Sequence, residues 1–135
     1  MPILPAVLNL LGTDQQHHII VSHIQYQGQG AYSCVLKIQS NGFACEKGFG
    51  FDNDEYFLAK LKEVFVSHTG EAELMSLLSE NHLKIQAYDA DTLLISGFIQ
   101  EEQPFNQSLE FAFLTRYDML ERFISEFTRV VRSTH

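Results

Sequence analysis

The stretch YSCVLKIQSNGFACEKGFGF, Tyr32–Phe51, decides how this chain is read. Asn41-Gly42 is a strong short-range signal for a two-residue hairpin turn, because both positions of that turn need a left-handed backbone, which Asn and Gly adopt cheaply. A turn there sets Ser40 opposite Phe43, Ile38 opposite Cys45, Cys34 opposite Phe49 and Tyr32 opposite Phe51. The large apolar residues then share one side of the hairpin, and that side is the expected core face.

Downstream, Asp52 with Glu55 three residues on resembles a capping box, and Phe57, Leu61, Val64 and Phe65 recur at helical spacing. This predicts a helix over about 53–68, with Gly70 placed to end it. Gly48 and Gly50 lie on the face away from Phe49 and Phe51, which suggests a bend or bulge in that strand. Upstream, Val7 to Leu11 and His18 to Tyr26 read as strands. The second is apolar on both parities, as a strand covered on both faces would be.

Glu71 to Ser79 fits either period and is read as a strand in preference to a helix. Leu83 to Tyr88 and Thr92 to Ile99 flank Asp89-Ala90-Asp91 and form a second hairpin. Glu101 to Asn106, containing Pro104, is a polar link. Leu109, Phe111 and Phe113 alternate with Glu110 and Ala112 in a last strand, and Thr115 with Asp118 opens a helix over about 116–132. The expectation is one α+β domain over residues 1–135: a coiled, mostly antiparallel sheet of about seven or eight strands with two helices, ordered strands, helix, strands, helix.

A chain of 135 residues with 45% apolar residues and eleven Phe has the material for a real core. Met1 to Gly12 lacks a basic start and a small-residue cleavage pattern, so it does not read as a signal peptide. Cytoplasmic residence is the expectation. The hairpin register holds the only two cysteines, Cys34 and Cys45, on the order of 13 Å apart, too far for a disulfide.

Charge is uneven. Between Asp52 and Glu110, twelve acidic residues stand against three lysines, a net of −9 in a chain whose total is −8. Such a field repels phosphate backbones and anionic lipid, which argues against nucleic acid or membrane as a partner and favours a basic protein, or simple solubility.

No reactive constellation identifies a reaction. His17, His18 and His23 cluster in sequence, but neighbours on a strand point to opposite faces, so they read as partly exposed strand residues and not as a zinc site, even with His68 or His82 considered. Turn chemistry accounts for Asp89 and Asp91, and a solvated loop accounts for Glu101 and Glu102. Gly28-Gln29-Gly30 and Gly48-Phe49-Gly50 lack the remaining glycine or lysine of a phosphate loop. Cys34 and Cys45 lie on the core face, and no serine sits in a nucleophile elbow. Arg122, Arg129 and Arg132 share the polar face of the last helix with Asp118 and Glu126, paired Asp118 to Arg122 and Glu126 to Arg129. No cofactor and no metal are expected.

The run Ser40-Asn41-Gly42-Phe43-Ala44, then Phe49 to Asp52, the helix Tyr56 to Phe65, Gly70-Glu71-Ala72-Glu73-Leu74 and the later Ser96-Gly97 resemble the WapI-like immunity proteins and related small bacterial families. The likeness spans about His18 to Val131 and rests on structural punctuation. It implies a cytoplasmic α+β protein that binds the toxic domain of a polymorphic or contact-dependent toxin, and it carries no catalytic residue across. The expected function is therefore non-enzymatic capture of a basic toxin domain. The expected contact residues are Glu63, Glu71, Glu73, Glu80, Asp89, Asp91, Glu101 and Glu102. The alternative is a small-molecule or catalytic site lined by Phe49, Phe51, Phe111 and Phe113, and edge strands leave room for a homodimer as well as a monomer.

Overall fold

The computed structural model describes residues 3–101 and 107–135. Four strands come first: β1 Leu8–Leu11, β2 His17–Gly28, β3 Ala31–Ser40 and β4 Phe43–Phe51. Helix α1 Asp54–Ser67 follows, then β5 Glu71–Met75, β6 His82–Ala87, β7 Thr92–Glu101 and β8 Gln107–Arg116, and finally α2 Tyr117–Thr134. This is an α+β fold in the expected order of strands, helix, strands and helix. The eight strands divide into two antiparallel sheets of four, β1-β2-β3-β4 and β5-β6-β7-β8, so each half of the chain is a meander followed by a helix. The division falls where α1 interrupts the strands, because a helix of 14 residues carries the chain away from the edge of the first sheet.

The hairpin forms in the predicted register, with Ser40 opposite Phe43, Ile38 opposite Cys45, Cys34 opposite Phe49 and Tyr32 opposite Phe51. Asn41 (φ 51°) and Gly42 (φ 94°) take the left-handed conformations that such a turn requires. Gly48 and Gly50 do not bend β4, whose register runs unbroken to Phe51. The bulge lies instead in β2, between Ser22 and Gln25, where His23 takes φ 53°. It also explains the apolar run on both parities: the extra residue shifts the phase, so Ile24 joins Ile19 and Val21 on the buried face while Ile20 stays partly exposed. β2 is not covered on both sides.

Four local expectations are corrected. Asn53, not Asp52, precedes α1; its side-chain amide donates to the Glu73 carbonyl oxygen (3.1 Å) and makes no cap bond. His68, not Gly70, supplies the left-handed residue that ends α1, and its N–H donates to the Val64 carbonyl oxygen (2.9 Å). Thr115 remains in β8, fully buried, with its hydroxyl donating to the Leu11 carbonyl oxygen (2.7 Å), and Arg116 precedes α2. Asp118 pairs with Arg116 (3.1 Å) instead of Arg122, whereas Glu126 and Arg129 pair as expected (3.1 Å).

The core lies between the sheets and the two helices. Phe57 of α1 meets Phe123 and Phe127 of α2 edge-on, Phe127 also contacts Phe51 of β4, and Phe51 stacks on Tyr32. Burying a ring of this size stabilises by about 1.5–3 kcal/mol, so this cluster orients both helices. Within the second sheet, Gly97 faces Phe111 across β7 and β8; a Cβ at Gly97 would stand 2.6 Å from the His82 carbonyl oxygen and collide with the ring. Among the described residues, no helix is long and apolar enough to cross a membrane.

The sheets touch at their margins. The Thr13 N–H donates to the Leu114 carbonyl oxygen (2.8 Å) near β1 and β8, and the Leu77 N–H donates to the Gly50 carbonyl oxygen (2.9 Å) beside β4. Lys47 of β4 and Glu101 of β7 form an ion pair between them.

Candidate functional site

Burial falls steadily along β4 toward the hairpin tip. Phe51 and Phe49 lie in the core, Lys47 and Cys45 are partly exposed, and Phe43 is 71% exposed, although all five side chains share the core-facing parity. The strand therefore projects beyond the packed interior and leaves an open groove between the sheets. One end, lined by Phe43, Cys45, Lys47, Ile99, Glu101 and Leu109, encloses about 440 Å3. The adjoining end runs from Lys47, Gly48 and Gly50 to the β5–β6 loop and encloses about 690 Å3. Both share the Lys47–Glu101 pair, which marks the waist of the groove.

Its rim is apolar and acidic. Leu78 is 97% exposed and Leu77 44% exposed in the β5–β6 loop, and Glu46 and Glu80 are exposed nearby. Large apolar side chains are thus left in water around a concave surface.

The β4 backbone adds a second property. The two-residue turn makes Ser40 and Phe43 a hydrogen-bonded pair, so the N–H and C=O groups of Phe43, Cys45, Lys47 and Phe49 point toward β3. Those of Ala44, Glu46, Gly48 and Gly50 point away from it. Gly50 agrees, since its carbonyl accepts from Leu77 on that outer side. Among the described residues, Ala44, Glu46 and Gly48 make no such backbone bond, so three rungs of the ladder stand open.

The expected acidic residues do not gather into one patch. Glu80 and Glu101 reach the groove. Glu63 pairs with Lys60 on α1 (3.1 Å), and Glu71 pairs with Lys84 (3.1 Å) on the outer face of the second sheet, which Glu73 shares. Asp89 and Asp91 occupy the β6–β7 turn, a strand's length from Glu80, roughly 20 Å. There Asp89 accepts from the Thr92 hydroxyl (2.7 Å) and from the N–H groups of Asp91 and Thr92, and these bonds hold its carboxyl below the usual range. Glu102 and the Pro104 link lie outside the described residues. Sequence reasoning missed Phe43, Glu46, Leu77 and Leu78. The available signal was the position of β4: a strand that ends a meander and runs into a helix is an edge strand.

Several polar groups away from the groove have structural partners. Asp54, 4% exposed at the start of α1, accepts from the Tyr32 hydroxyl (2.8 Å) and meets His135 Nε2 (3.1 Å), while Tyr32 also bonds Thr134. Burial is the main reason the Tyr32 hydroxyl is pushed well above its ordinary range. This network ties the start of α1 to the end of α2. His17 bonds Asp14 (2.7 Å) and stacks on Phe113, His18 bonds Asn9 (3.1 Å), and His23 meets Ser22 (3.0 Å). Among the described residues, no three metal-binding side chains converge. Both cysteines are free; burial pushes the Cys34 thiol up to about 12 and raises that of Cys45, which Lys47 partly offsets. Phe49, Phe51, Phe111 and Phe113 are packed in the core, at most 5% exposed.

No family model matches the chain, and comparisons with curated proteins and with solved structures returned no match.

Proposed function

We propose that this chain is a non-enzymatic protein-binding domain that holds a basic partner against the groove beside β4, in the manner of an immunity protein neutralising a toxin domain. One observation carries the reading: exposed apolar side chains, Phe43, Leu77 and Leu78, border a concave surface with Glu46 and Glu80 at its rim. Apolar contact supplies the affinity of such an interface. The acidic rim and the net charge of −8 steer a cationic partner toward it and speed association at low salt. The packing of Phe49, Phe51, Phe111 and Phe113 favours this reading over an aromatic ligand pocket lined by those four.

The test uses a toxin domain encoded beside this chain's own gene. Co-expression should restore growth, and Glu46→Lys with Glu80→Lys should slow association at least tenfold at low salt, with no more than the small loss of melting temperature expected from opposing Lys37 with a second cation. A toxin whose activity and binding are indifferent to the chain, or to this charge reversal, contradicts the proposal.

A further inference from the structure

From the open rungs of β4 we infer that the groove captures its partner as an added β-strand: an extended segment that bonds to Ala44, Glu46 and Gly48 and carries a lysine or arginine opposite Glu46. This inference rests on the protein-binding reading and adds the mode of capture. The Leu77 N–H already occupies the Gly50 carbonyl, so the ladder is begun at one end and stands open toward the hairpin tip. Gly48 has open space around it, which lets a backbone approach closely. An added strand places alternate side chains into the groove among Cys45, Ile99 and Leu109, and the others beside Glu46 on the outer face.

Charge selects the occupant. Glu46 stands opposite Lys37 of β3, so a cation on its other side continues an alternation of sign across the sheet. A second copy of the chain fits worse. Antiparallel self-pairing that engages all three rungs sets Glu46 against Glu46 of the other copy, and a shift of register that brings Gly48 opposite Glu46 sets Lys47 against Lys47. Each of these two arrangements opposes like charges, and the register with Ala44 opposite Glu46 sets Gly48 against Gly42 of the turn and so leaves that rung open.

The experiment adds an acetylated, amidated octapeptide of alternating lysine and valine to the full chain at low salt and follows backbone amides by NMR. Saturable shifts should centre on Ala44, Glu46 and Gly48. Glu46→Lys and Ala44→Pro should each weaken binding at least tenfold. The proline removes an N–H that points away from β3 and leaves the β3–β4 ladder intact. A peptide N-methylated at alternate residues, in either phase, supplies the same test without altering the protein: one phase should bind and the other should not. Binding that survives Ala44→Pro and both methylated phases overturns strand addition while the protein-binding reading stands. Failure of the unmethylated peptide to bind also overturns strand addition, while the protein-binding reading then stands or falls with the toxin domain. A free protein that sediments as a dimer with these amides protected overturns the inference in favour of a second copy.

Discussion

Cys34 shows how a single residue reports on the core. Its thiol lies at the Phe49 carbonyl (3.4 Å), and burial pushes its pKa from an ordinary 9 to about 12. The folded state therefore favours the neutral thiol. A raised pKa leaves its contribution intact below the unfolded value, and stability is lost as pH rises from about 9 toward about 12. The melting temperature should fall above pH 9, and Cys34→Ala should flatten that fall between pH 9 and 10. Above pH 10 Tyr32, shifted the same way, adds a second loss. An identical decline in both proteins contradicts the assignment. The residues that made this face legible in sequence are those of the hairpin, since Asn41-Gly42 fixes which side chains oppose one another. His23 was not legible: nothing in its chemistry announces a positive φ inside a strand, and the bulge it forms changes which isoleucines are buried.

At the scale of elements, the two helices are held by a polar network and an aromatic one. Asp54→Ala removes the charged acceptor of the buried Tyr32 hydroxyl and should cost about 1.5–3 kcal/mol. Phe127→Ala, at a fully buried ring contacting Phe51 and Phe57, should cost about 3–5 kcal/mol. Urea midpoints measure both, and Lys62→Ala, on the exposed face of α1, serves as a control expected to change stability by less than about 0.5 kcal/mol. A Phe127→Ala midpoint equal to the wild type contradicts the packing described. Hydrophobic period marked both helices and the strands around them to within a few residues. The helix ends were less legible, because Asn53 and His68 spend their side chains on distant partners, the Glu73 and Ala90 carbonyls, and not on the caps that local rules anticipate.

At the scale of the molecule, the repeated plan of meander and helix leaves β4 at the margin of its sheet, and the groove follows from that position. Acidic composition was visible in the sequence, but its distribution was not: Glu63, Glu71 and Asp89 are engaged by local partners, while Glu46, outside the acidic segment, stands at the open edge. The junction of the two sheets depends on long-range contacts such as Leu77 with Gly50, which no local pattern encodes. Capture of a partner at β4 requires that edge to be open. Amide hydrogen exchange of the free protein, residue by residue along β4, tests it directly. Ala44, Glu46 and Gly48 should exchange fast while Cys45, Lys47 and Phe49 are protected at least a hundredfold more; uniform protection of all six would contradict the account.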